Sequence, residues 1–213
     1  AEVPLLKVKV NREEAEAQLA AVRAVASAPR LIVDPNESWR VEDVVRLQDL
    51  LIAHRVDLLE QPVPAGEDDG LAGIESAVPI CADEALHTRA DLDRLRGRYA
   101  YVNVKLDKTG GLTEALALAE EATAKGFGLM VGCMVSSSLG IAPAMRVAAG
   151  AAFVDLDGPL FTLFSTAFPM YRGFMMLVAV AMLERLHLGT LLVVIGLWLV
   201  VEKTILHLVM ALL

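Results

Sequence analysis

Seven short apolar runs, six of them with a charged residue at or next to their end, recur through residues 1–160 of this 213-residue chain. The closing residues follow one another at intervals of roughly 22–29 positions, which is room for one strand, one helix and two short loops. Repeated units of this kind predict a parallel sheet, and seven in succession favour a closed (β/α) barrel of the TIM type over an open sheet. The predicted strands are 5–10, 30–34, 56–60, 79–83, 101–105, 128–134 and 153–157.

Three of the intervening stretches have apolar residues at helical spacing. They cover residues 13–27, 41–54 and 112–125, and Gly126 follows the last of them as a C-terminal stop. The strand–helix alternation therefore predicts an α/β fold.

Charged residues stand at the ends of five successive predicted strands, in the order Lys9, Asp34, Glu60, Asp83 and Lys105. A charge on an apolar strand is costly to bury unless it is paired or bound to a metal. The carboxyl ends of barrel strands converge on one site, so we expect these side chains to form the active site.

The three carboxylates, Asp34, Glu60 and Asp83, predict a magnesium site. They would repel one another without a cation, and hard oxygen ligands suit Mg²⁺. No histidine closes a predicted strand beside them, which counts against zinc.

The lysines predict acid/base catalysis. Lys9 and Lys105 flank the carboxylates and are expected on opposite faces of a substrate, and Lys7 shares the face of Lys9 because strands alternate with period two. We expect the two neighbouring ammonium groups to lower each other's pKa, so that a neutral lysine can act as a general base.

This equipment suits removal of a proton next to a carboxylate, with a divalent cation stabilising the enediolate that forms. Two lysines on opposite faces allow racemisation or epimerisation. A single active lysine would instead allow elimination or cycloisomerisation.

The same residues carry a family resemblance, which covers residues 1–160. Lys7–Lys9, Asp34–Trp39, Glu60–Pro62, Ala82–Glu84 and Lys105–Leu112 resemble, in order, the KxK, DxNxxW, metal-ligand and second-lysine motifs of the enolase superfamily, muconate-lactonizing subgroup. The resemblance implies catalytic Lys7, Lys9 and Lys105, and Mg²⁺ held by Asp34, Glu60 and Asp83. It also implies an N-terminal capping domain and a first barrel strand, and we expect this chain to lack both and to supply strands two to eight.

Within the subgroup, two segments are similar to dipeptide epimerases of the L-Ala-D/L-Glu type. These are the segment around Gly132–Val135 and the pair Asp155 and Asp157. The resemblance implies that Asp155 and Asp157 hold the free ammonium group of a dipeptide and that Met134 contacts substrate. Three alternatives stay open: a muconate-type cycloisomerase, an o-succinylbenzoate-type dehydratase, and an inactive truncated fragment.

Residues 161–213 form an apolar, helix-favouring tail with few charged residues. It has three interpretations: a membrane hairpin or anchor, a chimeric or frameshifted end, and a divergent helix packed on the barrel. The composition changes near residue 160, which predicts a domain boundary there.

The net charge of −8 argues against nucleic-acid binding, which needs clustered Lys and Arg. We expect a small carboxylate or dipeptide as partner. The absence of a signal-peptide pattern favours the cytoplasm, with membrane association through 161–213 left open. A homo-oligomer is also left open.

Overall fold

The computed structural model describes residues 3–159. Within them, seven parallel strands form one sheet in which each strand pairs with the next along the chain. The strands are β1 (Leu5–Lys9), β2 (Arg30–Asp34), β3 (Leu58–Glu60), β4 (Ile80–Ala82), β5 (Tyr101–Val104), β6 (Gly128–Gly132) and β7 (Phe153–Asp155). Each lies inside a predicted run, so the predicted α/β fold is confirmed.

The sheet curls until its two edge strands approach each other. Lys7 Nζ on β1 lies 3.5 Å from Asp155 Oδ2 on β7. Below them, an Arg30 guanidinium nitrogen donates to the Ala152 carbonyl at 3.1 Å. Adjacent strands are about 4.8 Å apart, so a flat sheet of this size would separate its edges by tens of ångströms. The strands therefore form a nearly closed barrel, although no ladder joins β1 to β7 within residues 3–159.

Short helices connect the strands. They are α1 (Ala15–Val25), α2 (Val41–Arg46), α3 (Gln48–Ala53), α4 (Leu92–Leu95), α5 (Leu106–Thr109), α6 (Leu112–Ala124), α7 (Ser138–Ile141) and α8 (Ala144–Ala148), with 3-10 turns at Asp68–Leu71 and Arg89–Asp91. Helices α1 and α6 confirm two of the predicted helical stretches with trimmed ends.

The third stretch, predicted over 41–54, is divided in two at Leu47. The backbone there leaves the helical region, with φ −94° and ψ 6°. The side chain of Gln48 lies at this break, where its Nε2 donates to Val44 O at 2.8 Å. Its Oε1 accepts the Ala77 N–H at 3.0 Å. Gln48 thereby links the break to the loop before β4, a tertiary contact that helical spacing does not reveal.

Two apolar cores follow from the period-two alternation of the strands. Leu31 and Val33 of β2 belong to the larger core, between sheet and helices. A smaller cluster on the opposite face of the sheet fills the barrel and consists of Ile32, Leu58, Cys81, Met130 and Phe153. The residues two positions beyond Ile32, Leu58 and Cys81 are the predicted metal ligands, so these carboxylates lie directly above the apolar layer inside the barrel.

No helix within residues 3–159 is long and apolar enough to cross a membrane. The tail at 161–213, with its three interpretations and most of its predicted boundary, lies outside the described residues.

Candidate active site

The three predicted metal ligands end neighbouring strands and are deeply buried. Asp34 closes β2, Glu60 closes β3 and Asp83 follows β4. Their exposed fractions are 1%, 0% and 3%. Carboxylates buried to this degree need partners of positive charge.

Lys7 supplies part of that charge. Its Nζ lies 3.0 Å from Asp34 Oδ2 and 2.9 Å from Glu60 Oε2, and it also reaches Asp155. Burial lowers the pKa of Lys7, but the charges of Glu60 and Asp34 outweigh burial and hold this pKa well above its ordinary value. The expected lowering is therefore wrong for Lys7, because carboxylates from neighbouring strands contact its ammonium group directly.

Lys9 reaches the same ligand from the open end of the barrel. Its Nζ lies 3.0 Å from Asp34 Oδ2 and also contacts Asn36 Oδ1. The Lys9 side chain is 67% exposed, in contrast to 16% for Lys7. Lys9 therefore stands where an incoming ligand would meet it, and Lys7 lies beneath.

Lys105 and Lys108 each contact a different oxygen of the Asp83 carboxylate. Lys105 Nζ lies 2.5 Å from Oδ2, and Lys108 Nζ lies 2.5 Å from Oδ1. Burial raises the pKa of Asp83, but the two ammonium groups outweigh it and bring this pKa to about 2. Burial lowers the pKa of Lys105, and the charge of Asp83 overcomes that effect and raises it.

The role of Lys108 was missed in the sequence. Burial lowers its pKa and the Lys105 charge lowers it further, which outweighs the opposing effect of Asp83. Its position three residues after Lys105, within one helical turn, was an available signal.

Glu60 has a second polar partner in Asn103, whose Nδ2 donates to Glu60 Oε1 at 2.9 Å. Asn103 is buried on β5, two residues before Lys105, and period two places both on one face. Burial raises the pKa of Glu60, and the charges of Asp34 and Asp83 add to this while Lys7 opposes it. The resulting pKa is about 7.

Gln61 follows Glu60 and is fully buried. Its Nε2 donates to Val63 O at 2.9 Å and to the Tyr99 hydroxyl at 3.0 Å. The backbone of Gln61 has φ +31°, a conformation that non-glycine residues rarely adopt. Its motif was noted in the sequence, but these contacts come from distant segments and could not be read there.

The predicted substrate contacts lie on and beyond β7 and β6. Asp155 faces Lys7, as described above. Asp157 is exposed, and burial together with the nearby charge of Asp155 raises its pKa. Met134 lies in the loop after β6 and is 54% exposed.

The chemistry of these donors fits Mg²⁺. Within residues 3–159, no three acidic, histidine or cysteine side chains surround one point as ready metal ligands. The oxygens of Asp34, Glu60 and Asp83 are bound by lysine ammonium groups. Burial raises the pKa of Glu60 most, and repulsion from Asp34 and Asp83 raises it further. A divalent cation bound by the three carboxylates would relieve that repulsion.

Curated proteins with similar sequences are racemases and epimerases. The chain is 50% identical over 160 residues to the N-acetyl-D-glutamate racemase of a Pseudoalteromonas species, covering 75% of this chain and 51% of that protein. It is 50% identical over 155 residues to the L-Ala-D/L-Glu epimerase of Escherichia coli K12, covering 73% and 48%. The chain spans about half the length of these curated relatives.

Solved structures agree with the sequence comparison. An enolase family member from Agrobacterium tumefaciens, with homology to dipeptide epimerases and with sodium and L-Ala-L-Glu bound, is 52% identical with a TM-score of 0.71, covering 74% of this chain and 48% of that one. A dipeptide epimerase from Methylococcus capsulatus, complexed with Mg, is 34% identical with a TM-score of 0.69, covering 75% and 49%.

A family model matches the whole described part of the chain. Residues 3–162 match the model described as "Enolase C-terminal domain-like". The match spans the curled parallel sheet, the three buried carboxylates and the lysines around them. The chain belongs to the enolase C-terminal domain-like family.

Proposed function

We propose that this chain is the catalytic barrel of a magnesium-dependent epimerase that inverts the α-carbon beside the free carboxylate of a dipeptide. The proposal rests on one observation: Lys9 and Lys105 contact different carboxylates of the same buried cluster. Lys9 contacts Asp34, and Lys105 contacts Asp83. Two bases and an acidic cluster are the equipment needed to remove and return a proton next to a carboxylate.

Asp34, Glu60 and Asp83 would hold the cation. When bound, Mg²⁺ supplies positive charge that stabilises the substrate carboxylate while its α-proton is away. The lysines perform the proton transfers: one takes the α-proton, and the other returns a proton to the opposite face of the enediolate. One of them must be neutral and the other charged when the substrate binds.

Lys7 has a different assignment from Lys9. Its ammonium group is held by carboxylates on β2, β3 and β7, whereas Lys9 projects into the open end of the barrel. We assign Lys9 and Lys105 as the proton-transferring pair. Lys7 acts as a fixed positive charge that orients the carboxylates of Asp34 and Glu60.

The comparisons support inversion of a stereocentre over cycloisomerisation or dehydration. Both relatives described above are named for racemisation or epimerisation of a glutamate derivative. The Agrobacterium tumefaciens structure has L-Ala-L-Glu bound, and the Methylococcus capsulatus epimerase is complexed with Mg. N-acetylglutamate and L-Ala-L-Glu both have a free α-carboxylate next to an acylated α-nitrogen. We propose this class of compound as the substrate.

The free ammonium of a dipeptide would be held by Asp155 and Asp157. A second candidate, racemisation of an N-acylated amino acid, has no such ammonium group. It is favoured by the 3.5 Å approach of Lys7 to Asp155, since that contact already neutralises part of the aspartate charge. The similarity to an N-acetyl-D-glutamate racemase points in the same direction.

The test is isotope exchange by the full chain in D₂O with MgCl₂, followed by ¹H NMR. With L-Ala-L-Glu we expect deuterium at the glutamate α-carbon and appearance of the second epimer. Lys9→Ala and Lys105→Ala should each abolish epimerisation. Each variant should still exchange the α-proton for deuterium in at most one of the two epimers, because one base remains. Lys125→Ala is the matched control, because Lys125 pairs with Asp93 and Glu121 away from the site. Absence of Mg²⁺-dependent exchange in the parent chain would refute the proposal.

The two substrates are separated by Asp155→Asn. If the dipeptide is the substrate, this change should reduce turnover of L-Ala-L-Glu by about tenfold or more through the lost charge pair. Turnover of N-acetyl-L-glutamate should then change little or improve. Efficient use of N-acetyl-L-glutamate alone by the parent chain would establish the second candidate.

A further inference from the structure

The Lys108 side chain lies in the site with 14% of its surface exposed, and it contacts a carboxylate. It lies on α5, a single turn that starts from Lys105, and its backbone N–H donates to Lys105 O at 3.1 Å. Gly110 ends this turn with φ +78°, a left-handed conformation that suits glycine. The turn directs the Lys108 side chain back beneath the end of β5.

Three acceptors hold the Lys108 ammonium group. Nζ donates to Asp83 Oδ1 at 2.5 Å, to Asp83 O at 2.6 Å and to Asn103 O at 3.1 Å. An ammonium group has three protons, so this set uses all of its donors. Two of the acceptors are backbone carbonyls at the ends of β4 and β5, which fixes Nζ relative to the sheet itself.

Lys105 is held by fewer bonds. Its Nζ contacts Oδ2 of Asp83, the oxygen that Lys108 leaves free. In the described part of the chain, Lys105 Nζ donates to no backbone carbonyl. Lys105 can therefore leave Asp83 at the cost of one contact, whereas Lys108 would have to give up three.

We propose that Lys108 is a positioning residue that keeps Oδ1 of Asp83 bound and leaves Oδ2 as the single oxygen available to the metal. This inference rests on the proposed function, since it assigns Asp83 as a metal ligand. Lys108 stays in place throughout, while Lys105 releases Oδ2 when the cation binds. Asp83 would then coordinate through one oxygen in a fixed orientation.

The proposal makes a prediction opposite to that of simple charge repulsion. If Lys108 acted only as a nearby positive charge, its removal would tighten cation binding. If Lys108 positions the ligand, its removal frees the carboxylate to rotate and weakens cation binding. Loss of a residue that orients a metal ligand typically costs about 10–100-fold in affinity.

The test measures Mn²⁺ binding to the full chain without substrate, by electron paramagnetic resonance, for three variants. Lys108→Met should weaken binding about 10-fold or more, and Lys108→Arg, which keeps the charge and the donors, should recover part of the loss. Lys125→Met, the same change at a surface ion pair, should bind as the parent does. Thermal unfolding followed by circular dichroism identifies any variant that does not fold, in which case Lys108→Gln replaces Lys108→Met.

The outcomes separate this inference from the proposed function. Unchanged or tighter Mn²⁺ binding by folded Lys108→Met overturns the positioning role, even if the parent epimerises dipeptides. Weakened binding with recovery in Lys108→Arg supports the role, even if the parent shows no isotope exchange. A parent chain that binds no Mn²⁺ overturns it as well.

Discussion

The side-chain carbonyl of Gln61 accepts the backbone N–H of Asp83 at 2.8 Å. The same oxygen accepts the Ala85 N–H at 3.1 Å. Gln61 directly follows Glu60, so one buried amide connects the strand end that carries one predicted metal ligand to the backbone of another. The relative placement of Glu60 and Asp83 therefore depends on a residue that need not touch metal or substrate.

We expect Gln61→Leu to destabilise the fold by about 2–4 kcal/mol. The substitution leaves the buried amides of Asp83 and Ala85 without an acceptor, and each such group costs about 1–3 kcal/mol. Urea unfolding monitored by circular dichroism measures the change. Gln18→Leu is the control, since Gln18 is part-exposed and accepts one bond from Asn11, and its cost should stay within about 1 kcal/mol. Equal costs for the two changes would contradict the structural role of Gln61.

Gly132→Ala should reduce both the rate of the reaction and the stability of the fold. A Cβ at this position would come within 2.9 Å of the Asn103 amide and 3.1 Å of Lys105 Cε. Both side chains must then shift, and displacement by about 1 Å can cost about 100-fold in rate. The stability cost should be about 1–3 kcal/mol. Kinetic constants and urea unfolding are both measured.

Gly150→Ala is the matched control for that experiment. A Cβ on Gly150 would meet no heavy atom within 4 Å. Its rate and unfolding free energy should be close to those of the parent. A Gly132→Ala protein with parental kinetic constants would show that Lys105 does not depend on this space.

Acid should weaken the fold through Asp43. Burial raises the pKa of Asp43, but the bonds from the Arg46 side chain, the Arg40 backbone and Arg12 outweigh burial and lower it below its ordinary value. A carboxyl group whose pKa is lower in the folded state stabilises above its unfolded pKa, near about 3.9, and loses this contribution as pH falls through the folded value.

The measurement for Asp43 is a comparison with Asp43→Asn over a range of pH. At pH 7 the variant should be less stable by about 1–3 kcal/mol, as expected for hydrogen bonds to a buried charge. The difference should begin to shrink below about pH 4, where the unfolded chain takes up a proton at this site, and should vanish as the pH falls through the lower pKa of the folded state. Asp49→Asn, an exposed position on α3, should alter the unfolding free energy little. A difference that persists unchanged at pH 2 would argue against the lowered pKa.

Mg²⁺ should stabilise the folded chain, and its removal should reverse the effect. A ligand present at 100 times its Kd adds about 2.7 kcal/mol by mass action. Thermal unfolding with MgCl₂ and then with excess EDTA measures this contribution. Glu60→Gln should abolish the Mg²⁺-dependent shift, whereas Asp93→Asn, on a surface pair with Lys125, should retain it. An identical shift in Glu60→Gln would exclude Glu60 as a ligand.

Much of the site could be predicted because strand alternation is local. Once Ile32 and Leu58 are recognised as interior residues of β2 and β3, period two places Asp34 and Glu60 on the same face. Regular spacing then brings the strand ends together at one end of the barrel. These inferences need no knowledge of how side chains contact one another.

The remaining features depend on contacts between segments far apart in sequence. The pKa of Lys7 was predicted in the wrong direction, since Lys9 is its visible neighbour while Glu60 is 53 residues away. The break at Leu47 and the contacts of Lys108 have the same origin, because each involves an acceptor or donor on another strand or loop. Local pattern identifies the residues, and tertiary hydrogen bonding decides what each one does.

The apolar layer formed by Ile32, Leu58, Cys81, Met130 and Phe153 has a low dielectric constant. It offers no solvation from below to the ions that rest on it. Hydration of Glu60 and Asp83 must therefore come from the other side, through the opening of the barrel. A ligand that closes this opening would exclude the water that screens these ions. The electrostatic interactions among the charges of the site would then be stronger than they are in the open protein.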